Sequence, residues 1–190
     1  YLSFYTVKRI FEANGLEMFD VEEIITHGGS LRIYAKHVDD LSKGISTNVT
    51  NLLEKEIKKG ITSSEYYIGL QRSAEQIKFE LLSFLLEQKK VGKKVVGYGA
   101  AAKGNTLLNY CGVKSDLIDF VIDANPHKQN KYLPGSHIPV YEEAQLKLNK
   151  PDFILILPWN IKNEIEVQLE YIKEWGGKFV TAIPKLTVDK

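Results

Sequence analysis

A chain of 190 residues, 44% hydrophobic and 26% charged, has the makeup of a globular protein with room for one full domain and part of another. Its formal net charge of +1 removes any general electrostatic case for nucleic acid or an anionic membrane, and no apolar run approaches the length of a membrane span. The single cysteine, Cys111, excludes an internal disulfide and a cysteine zinc cluster, which fits a reducing, cytoplasmic setting. The chain opens on Tyr1 rather than Met and shows no signal peptide, and it reads as a piece of a longer protein.

In chain order, Phe4, Val7, Ile10 and Phe11 fall at helical spacing and Asn14-Gly15 is a stop, so a short amphipathic helix is expected over 4–14. Residues 16–25 read as a strand, His27-Gly28-Gly29-Ser30 as a turn, and 31–35 as a second strand. Residues 38–90 carry helical patterns and no strand. The first helix is expected over 47–59, stopped by Gly60. A second, long helix is expected from Thr62-Ser63-Ser64-Glu65, with Tyr66, Tyr67, Leu70, Ala74, Ile77, Leu81, Phe84 and Leu85 as one core-facing stripe. From Lys94 onward strands alternate with helices: strands at 94–99, 119–123, 138–141, 152–157 and 178–182, and helices from Gly104, over 142–148 and over 160–175. Such alternation argues for a parallel sheet covered on both faces, an α/β, Rossmann-like three-layer domain.

Lys93 to Thr106, KKVVGYGAAAKGNT, is the stretch with chemistry in it. A buried strand runs into Gly97, Gly99 and Ala102, the G-x-G-x-x-G/A spacing that lets backbone approach a pyrophosphate, and then into a helix start whose N–H groups and dipole favour an anion. Ala100 lies in the turn, and Lys103, Gly104, Asn105 and Thr106 add a cation and polar side chains at the helix start. The order of lysine and glycine rules out a Walker A loop. A tight strand-to-helix turn also uses glycine for steric reasons alone, so context matters. Asp123 ends the next apolar run about 20 residues beyond the turn, where a dinucleotide-binding unit carries its ribose-binding acid. Asn125, Lys128 and Gln129 follow in a polar turn, and Trp159 follows the strand 152–157, where it either stacks on a ligand ring or packs as a structural tryptophan. These residues alone leave open a nicotinamide-binding domain of an oxidoreductase and a non-catalytic docking platform.

Residues 95–112, VVGYGAAAKGNTLLNYCG, with 121–140, VIDANPHKQNKYLPGSHIPV, and 156–160, ILPWN, resemble the C-terminal domain of the sugar-nucleotide C-methyltransferase family. EANGLEMFDV at 12–21 and HGGSLRIY at 27–34 resemble the closing hairpin of a class I S-adenosylmethionine-dependent methyltransferase domain. The resemblance implies three segments: a methyltransferase-domain tail over 1–38, a helical connector over 39–92, and a Rossmann-like C-terminal domain over 93–190. It implies S-adenosylmethionine as methyl donor in the full-length protein and zinc in an N-terminal domain outside this chain. It further implies methyl transfer to a carbon beside the ketone of a deoxysugar nucleotide, whose diphosphate meets Lys103, Asn105, Thr106 and the N–H groups of 99–104. Asp123 and Asn125 would then meet nucleoside or sugar hydroxyls, with Lys128 and Gln129 closing over the phosphate. The base that takes the α-proton belongs, by the resemblance, just upstream of Tyr1, so the isolated chain is expected to be inert, and no catalytic role falls to His27, His37, His127 or His137. His27, Gly28, Gly29, Ser30 and Arg32 are expected at the active-site edge, Arg32 as a charge with a partner or ligand in an otherwise apolar strand. The expected partners are the sugar nucleotide, the remaining domains of the same polypeptide, and a second copy drawn to exposed hairpin edges.

Overall fold

The computed structural model describes residues 2–189; Tyr1, expected to continue a catalytic segment, Lys190 and the side chain of His27 lie outside the described residues. The chain divides into two units, Tyr1–Gln71 and Arg72–Lys190.

In the first unit, α1 (Phe4–Ala13) starts where Ser3 turns its hydroxyl oxygen back to accept from the Thr6 N–H at 3.1 Å. Glu56, from α2 (Thr47–Lys58), completes the cap: its two carboxylate oxygens accept from the N–H groups of Phe4 at 2.9 Å and Tyr5 at 2.8 Å. A negative charge thus sits at the positive end of α1 and satisfies two donors that no helical carbonyl can reach. Strands β1 (Leu16–Ile24) and β2 (Ser30–His37) pair antiparallel from Leu16↔His37 to Ile24↔Ser30, with a bulge between Met18 and Asp20. Phe4, Met18, Val21, Val49 and Leu52 form the core of this unit.

The bulge turns Asp20 toward the start of α2. Its Oδ1 accepts from the Ser46 hydroxyl at 2.5 Å, the Val21 N–H at 2.9 Å and the Asn48 amide at 3.0 Å. These hydrogen bonds, that of Ser46 foremost, hold its carboxyl below the ordinary value of 3.8. A folded pKa below the unfolded one means the stabilisation is complete above the unfolded value and is lost as pH falls through the folded one. Melting temperature is therefore expected to fall as the pH drops below about 4, and Asp20→Asn to flatten that fall. An acid slope unchanged in Asp20→Asn would refute the assignment.

The expected long helix is broken. A short α3 (Glu65–Ile68) ends at Gly69, and α4 (Leu70–Lys90) starts after it. Glycine weakens a helix interior by about 1 kcal/mol relative to alanine, and here it separates two helices. Tyr66, Tyr67 and Leu70 are 52, 51 and 67% exposed rather than in a core. Only the later part of the stripe is buried: Leu81, Phe84 and Leu85 belong to the core of the second unit.

That unit is built on a seven-stranded sheet of order β5-β6-β4-β3-β7-β8-β9. Strands β3 (Val95–Tyr98), β4 (Val121–Ile122), β6 (Pro139–Tyr141), β7 (Phe153–Ile156) and β8 (Lys178–Thr181) run parallel. The edges β5 (Lys131–Tyr132) and β9 (Thr187–Val188) are antiparallel additions with no apolar run to announce them. Alternation along the central strands separates two layers. Val95, Phe153, Leu155 and Leu157 face one core with α4 and α5 (Ala102–Cys111). Val96, Tyr98, Ile154 and Ile156 face another with α6 (Ala144–Asn149) and α7 (Lys162–Gln168).

Two helices differ from expectation. Helix α5 begins at Ala102 rather than Gly104, which puts Lys103 in its first turn. The helix expected over 160–175 is three pieces: a 3₁₀ turn at Trp159–Ile161, then α7, then a 3₁₀ segment at Glu170–Trp175. Tightening after Leu169 lets Leu169 and Ile172 both bury against the sheet, a tertiary gain that overrides the regular period. No helix among the described residues is long and apolar enough to cross a membrane.

Candidate functional site at the strand-order switch point

The parallel strands lie in the order β6-β4-β3-β7-β8, which in chain order is third, second, first, fourth, fifth. Connections leave β3 and β7 in opposite directions, so a crevice opens between the carboxyl ends of these two strands. The glycine turn fills one side of it. Gly99 has φ +86°, and a Cβ there would stand 2.6 Å from Cδ of Pro158 at the end of β7. At Gly104 a Cβ would stand 2.5 Å from Cβ of the fully buried Leu157, so α5 rests on the sheet through a bare backbone. Gly97 is buried within β3, where a Cβ would meet Val121 at 2.8 Å.

The turn uses its own donors before the helix starts. Gly99 N–H donates to Ile122 O, Ala101 N–H to Gly99 O, and Ala100 N–H to Oδ2 of Asp123 at 2.7 Å. Asn105 N–H is the first to donate along α5, to Ala101 O at 2.9 Å, and Ala101 at the cap position offers no side-chain acceptor. The N–H groups of Ala102, Lys103 and Gly104 therefore point out of the helix start with no carbonyl one turn earlier to accept them.

Two side-chain arms flank that start. On the β7 side, the Lys103 ammonium donates to Oδ1 of Asn160 at 2.7 Å and lies 5.3 Å from the centre of the Trp159 ring. On the β4 side, the buried Asp123 takes Ala100 N–H and the Lys128 ammonium (3.0 Å) on Oδ2 and Asn125 N–H (2.8 Å) on Oδ1. Lys128 also donates to Ala100 O at 3.0 Å, and the Gln129 amide donates to Asp123 O at 2.9 Å. Asn125 Oδ1 accepts from His127 N–H, which closes the polar turn on itself. Within α5, the Thr106 hydroxyl donates back to Ala102 O, while Oδ1 of Asn105 is buried without a protein partner. Behind the turn, the Tyr98 hydroxyl accepts at 2.8 Å from the Gln168 amide, whose nitrogen also donates to Glu143 at 2.8 Å. Burial, and then the nearby Glu143, push the Tyr98 phenol up, so it stays a neutral strut between β3 and α7.

The structure thus gathers Lys103, Asn160 and Trp159 on one side and Ala100, Asp123, Asn125, Lys128 and Gln129 on the other. Asn160 was not among the expected site residues; its signal was its place directly after Pro158-Trp159 at a strand's carboxyl end, on the edge of the glycine turn. A cavity of about 430 Å³ opens beside this arm, lined by Trp159, Asn160, Asn163, Thr181, Ile183 and Lys185. The hairpin residues belong to the other unit. Gly28 and Gly29 take φ of +80° and +116° in the turn, and the Ser30 hydroxyl donates to Thr26 O. Arg32 lies on an exposed part of β2, where its guanidinium pairs with Glu22 at 3.0 Å across the hairpin. Among the described residues no cluster of three or more His, Cys, Asp or Glu is placed to hold a metal ion.

A doubly wound sheet with a glycine turn and open helix start at its switch point defines a Rossmann-like domain. The C-methyltransferase C-terminal domain family matches residues 25–184, and the chain belongs to that family. It is 32% identical over 185 residues to C-methyltransferase NovU from Streptomyces niveus, covering 97% of this chain. The chain spans 44% of the length of that relative. A crystal structure of UDP-D-quinovosamine 4-dehydrogenase from Vibrio fischeri is similar over 52% of this chain and 93% of that one, at 20% identity and a TM-score of 0.40.

Proposed function

We propose that this chain is the substrate-holding part of an S-adenosylmethionine-dependent C-methyltransferase, binding a sugar nucleotide by its diphosphate and presenting the sugar for methylation at carbon. The observation that carries the reading is the helix start of α5: three outward N–H groups beside an ammonium that Asn160 and Trp159 hold at the rim. Oriented backbone donors and a nearby cation favour a multiply charged anion. Membership in the C-methyltransferase C-terminal domain family, and the similarity to the Streptomyces C-methyltransferase, support the reaction class.

The methyl donor does not fit this site. Its sulfur is cationic, whereas Lys103 and Lys128 place two ammonium groups around the helix start. These residues bind, orient and hold charge, and the proton beside the ketone is taken by groups outside this chain. Under this reading Lys128 acts through Asp123, fixing the polar turn, and swings toward the diphosphate only if it leaves that carboxylate.

Calorimetric titration of the chain with thymidine diphosphate, NAD and S-adenosylmethionine separates the readings. Binding of the nucleoside diphosphate alone is expected. NAD binding with no response to the diphosphate would replace this reading with a nicotinamide-binding one, which the glycine spacing and the position of Asp123 also permit.

A further inference from the structure

A pocket of about 200 Å³ lies between α4 and α5, and Ile77, Leu107, Tyr110, Trp159 and Ile183 make its walls almost wholly of carbon. Lys103 lines it as well, through its methylene stem, because its ammonium is turned to Asn160. Trp159 and Ile183 also wall the larger cavity that Asn160, Lys162 and Lys185 line, so an apolar slot and a mixed, lysine-bearing cavity share one aromatic partition. Tyr110 is 41% exposed, with the Lys78 ammonium 5.4 Å from its ring centre.

From this arrangement we infer that the pocket is the nucleobase subsite of the sugar nucleotide, holding the base by its faces between Tyr110 and Trp159 while its hydrogen-bonding edge stays in water. The inference rests on the diphosphate reading above, since the ammonium of Lys103 sets where the phosphate end lies. Two kinds of ring hang from the diphosphate, and the pocket chooses between them. A hydroxylated pyranose carries polar groups around its rim, and each one buried against carbon without a partner costs on the order of ten- to a hundredfold in affinity. A nucleobase has two bare faces and confines its polar atoms to one edge, so it enters an unbonded slot without that loss. The sugar then extends the other way, toward the Asp123 and Asn125 arm.

Recognition by faces has a consequence for specificity. With no donor or acceptor aimed at the base edge, the slot ranks bases by stacking and methyl contact, not by hydrogen-bond pattern. Thymidine, uridine and cytidine diphosphates are expected to bind within about tenfold of one another, the thymine methyl giving the first a small lead.

The test is calorimetric titration of the whole chain, of Tyr110→Ala and of Lys103→Ala with inorganic pyrophosphate and with thymidine diphosphate. The unaltered chain is expected to bind the nucleotide at least about tenfold more tightly than pyrophosphate, and Tyr110→Ala to lose most of that gain while pyrophosphate affinity stays the same. Tyr110 is partly exposed, and matching melting temperatures would show the variant folded. Lys103-dependent pyrophosphate binding with no gain from the nucleoside, or a gain untouched by Tyr110→Ala, would overturn the base subsite and leave the diphosphate reading standing. Absence of any Lys103-dependent anion binding would overturn both.

Discussion

Gly104→Ala is expected to destabilise the unit Arg72–Lys190 by about 2 kcal/mol, and Gly104→Val by more, to the point of losing cooperative folding. In an isolated helix the alanine change would stabilise by about 1 kcal/mol, because glycine carries the larger backbone entropy cost. Packing reverses the sign. The new Cβ would stand 2.5 Å from Cβ and 3.1 Å from Cγ of Leu157, a side chain with no exposure. Leu157 has little room to retreat, because it is fully buried in the same core cluster as Val121, Leu107 and Leu155. Either α5 lifts off the sheet or the end of β7 shifts, and both move the crevice. Thermal melting would fall by roughly 4 °C per kcal/mol in a unit of this size. A Gly104→Ala protein that melts at or above the parent temperature would mean the contact relaxes freely and that α5 is not seated through Gly104.

Lys103→Ala is expected to weaken thymidine diphosphate binding ten- to a hundredfold, the worth of one charge-assisted hydrogen bond at about 1.5–3 kcal/mol. The unliganded protein should melt nearly unchanged, because the lysine contributes one hydrogen bond to Asn160 and a ring contact at a partly open rim. Two accompanying signs distinguish a phosphate contact from a packing effect. The parent's affinity should fall with added salt more steeply than the variant's, since the variant has lost one charge facing the ligand. Lys103→Arg should recover part of the loss, because charge and donors are kept while the geometry changes. Titrations at low and high salt on the three proteins measure both. Equal affinity in the parent and Lys103→Ala would remove the diphosphate from this end of the helix.

Much of the site is written in short patterns. The spacing of Gly97, Gly99 and Ala102, the β-branched run before it and the acid that closes β4 are local signals, each interpretable because strand pleat and helix start depend on residues a few positions apart. Other parts of the chain mislead for the same reason. Tyr66, Tyr67 and Leu70 fall on the period of a buried stripe, yet Gly69 divides the helix between Tyr67 and Leu70 and all three are exposed. The edge strands at Lys131–Tyr132 and Thr187–Val188 have too few residues to show a period, and exist because a neighbouring strand offers them hydrogen bonds.

Local sequence therefore specifies an α/β domain with a glycine turn between strand and helix, since helix, strand and turn propensities act over a few residues and add along the chain. Which residues meet at that turn was decided by the tertiary structure. Lys103 and Asn160 are separated by 57 positions and Ala100 and Asp123 by 23, and they touch only because β3 comes to lie between β4 and β7. That order follows from burying both faces of the sheet at once, a property of the whole folded unit that no window of the chain contains.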